Sequence, residues 1–276
     1  MRRVVLPTAL FRSRRSYSKA FCAVVRRGGT AHPAHEAACL VDPRRRGNFA
    51  GTHLNWKRFS LVVLAACALA AVLAWAKTRE SVDEHRRARQ LVLYYTLGRI
   101  NDPVIVIGDS IVEASTLPRS ICGHAIVNAG LNGASTASDL GNWLAPALDG
   151  KRAALIVVSL GTNDALTSAP SSEQTFADRY GALLALLSKL TPRLAVLQIP
   201  PVEARDRMTV KMQDEARGTI NIYNSVLPGL AGRNGAIFVA LPAMPEAHTI
   251  DGVHLNAEGY LAWDKAVMQA AATVCG

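Results

Sequence analysis

VIVIGDS, residues 104–110, decides the fold. Four branched aliphatics stand in a row with no polar residue alternating, which suits a strand buried on both faces of a parallel sheet. A glycine, an acid and a serine follow at once. Similar runs without alternation recur at residues 125–127, 154–160, 194–199 and 236–241. Helical stretches separate them. Residues 135–148 open on Ser/Thr with an acid at Asp139, in the manner of a capping box. Residues 171–190 place Phe176, Tyr180, Leu183, Leu184 and Leu187 at helical spacing, and residues 212–230 and 257–272 complete the set. Strand and helix in this alternation predict a three-layer α/β/α sandwich over residues 102–276.

In an open parallel sheet, ligands gather at the carboxyl ends of the strands. The first strand delivers Gly108-Asp109-Ser110 there, and the second delivers Asn128-Ala129-Gly130. The third ends in Gly161-Thr162-Asn163-Asp164. A loop after the fifth carries Asp251-Gly252-Val253-His254. Every polar cluster thus falls where a site can be built.

These residues suit acyl transfer through a serine. A hydroxyl such as that of Ser110 is a poor nucleophile until a base takes its proton. His254 is the candidate base, and Asp251, three residues earlier, can hold the other ring nitrogen and stabilise the imidazolium. The backbone amides of Ser110 and Gly130 and the side-chain amide of Asn163 are candidate donors to the developing oxyanion. Each element also has a plain reading. Gly130 can serve only a turn, Asn163 and Asp164 are ordinary turn formers, and Asp251 can be a helix cap. His248 is a rival base without an acid at i−3. The joint order of the clusters favours the catalytic reading.

With Gly108-Asp109-Ser110, Asn128-x-Gly130, Gly161-Thr162-Asn163-Asp164 and Asp251-x-x-His254 in this order, the sequence resembles the SGNH hydrolases, also called the GDSL-type esterase/lipase family. Gln198-Ile199-Pro200-Pro201 looks like that family's fourth-strand exit. The resemblance implies a flavodoxin-like, five-stranded parallel sheet and a Ser110 nucleophile. It further implies Gly130 and Asn163 as oxyanion donors and a His254 base oriented by Asp251. It covers residues 102–276 and says nothing of what precedes them. A Gly-x-Ser-x-Gly elbow, a phosphate-binding loop and a dinucleotide fingerprint are absent from the sequence. The chemistry requires no metal or organic cofactor.

The front of the chain is different in kind. The formal charge is +10, yet residues 1–58 carry a net +11 and residues 77–276 a net −1. A neutral working domain argues against a nucleic-acid partner. Residues 1–58 read as a basic, disordered tail, and residues 77–101 as a juxtamembrane helix and linker. Between them, residues 59–76 (FSLVVLAACALAAVLAWA) hold no charge and span roughly 27 Å as a helix, enough for a bilayer core. Two forms of export fit. One is a signal anchor that leaves the domain outside the cytoplasm, in a bacterial periplasm. The other is a signal peptide cleaved near Ala76, which the long basic tail disfavours unless translation starts downstream.

Of five cysteines, Cys22 and Cys39 lie in the tail and Cys67 in the apolar run. Cys122 and Cys275 would share an oxidising compartment with the domain, either as a disulfide or as two free thiols. The substrate expected is a small-molecule or glycan acyl ester. Hydrolysis leads, with acyl transfer to or from an envelope polysaccharide as the alternative and a non-catalytic binding module as a third reading. Residues 165–172 and 202–209, including Leu166 and Met208, are placed to shape the acyl pocket.

Overall fold

The computed structural model describes residues 56–167, 169–205 and 208–275. The tail expected over residues 1–58 lies outside these apart from its last three residues, and Cys22 and Cys39 lie outside with it. Helix α1 (Trp56–Leu97) runs unbroken for 42 residues and joins the two segments that the sequence divides at Ala76. It contains an 18-residue window of mean hydropathy 2.4, none of it buried, and is long and apolar enough to cross a membrane. Its last turns enter the domain, where Leu93 and Leu97 are buried in the core.

The domain then alternates β1 (Val104–Gly108), the short turn α2 (Ser110–Glu113), β2 (Ser120–Ile121), β3 (His124–Gly130) and α3 (Leu140–Leu148). It continues with β4 (Leu155–Ser159), α4 (Thr162–Ala165), α5 (Glu173–Leu187), β5 (Leu194–Leu197), α6 (Val210–Arg233), β6 (Ala236–Val239) and α7 (Ala257–Ala271). The sheet order is β2-β3-β1-β4-β5-β6. Five strands are parallel, in the flavodoxin-like order the sequence implies. The expectation of a purely parallel five-stranded sheet needs one correction. A sixth strand, β2, pairs antiparallel with β3 over two residues and makes the sheet mixed. A two-residue strand bearing Ser120 is too short to show a period.

The continuous apolar runs are explained by cover on both sides. Ile105, Ile107, Ile156, Val158 and Val196 face one core with residues of α1, α3, α5 and α6. Val104, Val106, Leu155, Val157 and Leu197 face the other, filled by Ile111 of α2 and by Trp263 and Val267 of α7. α3 starts five residues later than its capping-box reading predicts, and Asp139 makes no side-chain cap bond. Residues 135–139 are instead held in turns: the Ser135 amide donates to Ser138 Oγ, and the Thr136 amide and hydroxyl donate to Asp164. Such local side-chain bonds compete with helix. The chain's end is tied down by a disulfide between Cys122 and Cys275.

Candidate active site

Ser110 opens α2 immediately after β1. Asp109 caps that turn by accepting from the Ile111 amide at 2.9 Å, and the Tyr260 hydroxyl of α7 donates to the Ile111 carbonyl at 2.8 Å. Ile111, the residue after Ser110, is therefore held at both its amide and its carbonyl. Ser110 Oγ lies 3.0 Å from His254 Nε2, and His254 Nδ1 lies 2.9 Å from Asp251 Oδ2. A carboxylate only accepts, so the Nδ1 proton points to Asp251 and Nε2 is left to accept from the Ser110 hydroxyl.

The loop that carries Asp251 and His254 is itself braced. Asp251 Oδ1 accepts from the amides of Val253 and His254 at 3.1 and 2.9 Å. Partial burial pushes the Asp251 carboxyl up, but these amides and the imidazole outweigh it and hold it at about 2. Asp251 is thus a carboxylate throughout the neutral range. Further back, Glu203 accepts from the amides of His248 and Thr249 and from the Thr249 hydroxyl. Burial raises Glu203, yet those bonds prevail and keep it below the ordinary carboxylate range. His248, the rival base, is only 5% exposed, and its ring nitrogens meet the carbonyls of Pro245 and Pro201. It packs the loop and has no contact with Ser110.

The expected oxyanion donors divide. Asn163 Nδ2 donates one hydrogen to the Ala134 carbonyl at 2.8 Å and keeps a second. Gly130, expected as another donor, has its amide hydrogen-bonded to Asn128 Oδ1 at 3.0 Å. Its lack of a Cβ serves packing instead: a Cβ there would stand 2.1 Å from the Glu113 nitrogen of α2. The turn that follows commits nearly every amide. Leu131 N donates to Gly108 O, Asn132 N to Glu113 Oε2, and Ala134 N to Leu131 O. Among the described residues, the Gly133 amide alone in this turn has no protein acceptor. Gly133 adopts φ +73 with open space around its α-carbon, the left-handed geometry that glycine tolerates. The sequence signal for it was present in Asn132-Gly133, a turn dipeptide. Asp164, read as a turn former, is buried and anchors this loop through Thr136. Burial raises its carboxyl, against the Thr136 bonds that lower it.

Leu166 and Met208, expected to shape the acyl pocket, both line one cavity of about 480 Å³ with Pro170, Met212 and Ala216. Met208 also packs against Gly252, beside Asp251. Ser168, Asp206 and Arg207 of those two loops lie outside the described residues.

The strand ends thus gather Ser110, His254 and Asp251 on a flavodoxin-like sheet, and comparison with known proteins supplies the family. The GDSL-like Lipase/Acylhydrolase family matches residues 106–262, and the chain belongs to that family as an ester-hydrolysing enzyme. Three solved structures share the fold. One, named for a platelet activating factor from Streptococcus pneumonia, is 24% identical with a TM-score of 0.57, covering 74% of this chain and 98% of its own. Another, named for an acylhydrolase from Bacteroides fragilis NCTC 9343, is 21% identical with a TM-score of 0.52, covering 66% and 95%. A GDSL-like lipase from Bacteroides thetaiotaomicron VPI-5482 is 21% identical with a TM-score of 0.50, covering 61% and 87%. No curated protein matches the chain.

Proposed function

We propose that the protein hydrolyses acyl esters through an acyl-enzyme on Ser110. The observation that carries this reading is the unbroken chain Ser110 Oγ–His254 Nε2 and His254 Nδ1–Asp251 Oδ2, at 3.0 and 2.9 Å. As the hydroxyl attacks the ester carbon, His254 takes its proton and Asp251 stabilises the imidazolium. The oxyanion forms against the Ser110 amide, the free hydrogen of Asn163 Nδ2 and the Gly133 amide, the last replacing Gly130 for the reason given above. His254 then returns the proton to the departing alcohol. Water, deprotonated by the same imidazole, attacks the acyl carbon and frees Ser110.

Two features support a place of action at or beyond a membrane. The apolar first half of α1 serves as the membrane anchor or export signal, and the Cys122–Cys275 disulfide suits an oxidising compartment such as the periplasm. The acyl chain occupies the cavity lined by Leu166 and Met208. Purified full-length protein in detergent should hydrolyse short-chain aryl esters and take up a fluorophosphonate probe. Ser110→Ala should abolish both, and unchanged hydrolysis by that variant would refute the reading.

A further inference from the structure

We infer that Arg89, on the segment of α1 leading out of its apolar half, is a positioning residue for the catalytic loop. The inference rests on the acyl-enzyme reading above and adds to it an element outside the residues 106–262 that the family covers. Arg89 is partly buried, its side chain 24% exposed, and its guanidinium reaches across to the end of β3. Nε and Nη2 donate to the Gly130 carbonyl at 3.2 and 3.0 Å, and Nη2 also reaches the Asn128 carbonyl and Asn128 Oδ1, both at 3.3 Å.

What these bonds fix is a single peptide plane. The Gly130 carbonyl is held by Arg89, and on the other side of the same peptide the Leu131 amide donates to the Gly108 carbonyl at 3.0 Å. Gly108 O is two residues before Ser110 on the chain. Clamped at both ends, this peptide sets the direction in which residues 131–134 leave the sheet, and so where the Gly133 amide points. Asn128 Oδ1, which Arg89 also holds, is the acceptor that occupies the Gly130 amide. Glu113, at the far end of the nucleophile's turn, completes the frame. Its Oε2 takes the Asn132 amide, and its Oε1 meets His85 Nε2 at 2.7 Å. The same stretch of α1 therefore grips the end of β3 and the far end of the turn that Ser110 opens. A planar fork of fixed donors suits this task, and an ammonium on a flexible stem does not.

A loop held a fraction of an ångström out of place affects the transition state rather than the ground state, so the loss should fall on kcat. The test compares wild type, Arg89→Met and Arg89→Lys as full-length proteins, with kcat counted per active site by fluorophosphonate titration. Arg89→Met should lose about 10- to 100-fold in kcat with KM within about twofold, on the scale expected for remote misplacement of a catalytic group. Arg89→Lys should recover little of it, and added methylguanidinium should recover part in Arg89→Met. An unchanged kcat per titrated site in Arg89→Met, or full recovery by lysine, would overturn the inference. A wild type without esterase activity would instead overturn the acyl-enzyme reading on which it rests.

Discussion

Gly130 and Glu113 meet backbone against backbone: a methyl on Gly130 would stand 2.1 Å from the Glu113 nitrogen and 2.5 Å from its Cα. Gly130 is thus the floor on which the Ser110 turn sits, while a methyl on Gly133, three residues on, would meet nothing within 4 Å. Gly130→Ala should force α2 away from β3, lowering stability by about 1–3 kcal/mol as overpacking does, together with activity. Gly133→Ala meets no clash and costs only its left-handed backbone, about 1 kcal/mol, but it should still depress kcat. Denaturation midpoints and kcat for the two variants would check the contrast. Equal stability losses would contradict the assignment of packing to one glycine and loop geometry to the other.

Asp109 supplies a pH test. Burial lifts its carboxyl from 3.8 to about 6, against the opposing pull of the Ile111 amide and the charge of His254. The folded chain therefore holds this proton more tightly than the unfolded chain. Stability from this group is complete below about pH 4 and is lost as pH rises through about 6. Asp109→Asn keeps a capping oxygen and has no proton to lose. The stability of the wild type relative to this variant should fall by up to about 3 kcal/mol from pH 4 to pH 7. Urea midpoints across that range measure it, and a flat difference would show that Asp109 does not titrate there.

Tyr180 of α5 is fully buried, and its hydroxyl has no hydrogen-bond partner among the described residues. Burial drives its ionisation far above the ordinary tyrosine range. Removing an unpaired buried hydroxyl while keeping the ring, which stands 5.4 Å from that of Phe176, should be neutral or stabilising by about 1 kcal/mol. Thermal melting of Tyr180→Phe tests this. A marked destabilisation would reveal a partner for the hydroxyl.

The Cys122–Cys275 bond closes a loop with a sequence separation of 153. Replacing both cysteines by serine should cost about 2–5 kcal/mol, the range expected for a native disulfide. Mass measurement under denaturing, non-reducing conditions should find both sulfurs blocked. Two alkylatable thiols at these positions, in protein recovered from an oxidising compartment, would contradict the bond.

The three central strands were legible because Val104, Ile105, Val106 and Ile107 and their counterparts in β4 and β5 are covered on both faces, which leaves an unmistakable apolar run; β3 and β6 carry shorter apolar runs although they are partly exposed. The candidate serine was legible because it follows the end of β1, and the candidate acid and base because they stand three residues apart on the loop after β6. The chemistry of Gly130 was not. A glycine that makes room and a glycine that lends its amide look alike in a sequence, and only the neighbours, here Glu113 and Asn128, separate them. Residues 135–139 misled for a related reason. Thr136 prefers the buried carboxylate of Asp164, which lies 28 residues away, over the helix its own neighbours suggest. Arg89 was invisible as a functional residue, since nothing local distinguishes it from Arg86 and Arg87 beside it.

The unbroken course of α1 gives the enzyme a ruler. From Ala76, where the apolar run ends, to Arg89, where the helix grips the site, are thirteen residues, about 20 Å of rigid rod. Whatever holds residues 59–76, the rod keeps Arg89 and the β3 end it binds at that fixed distance from them.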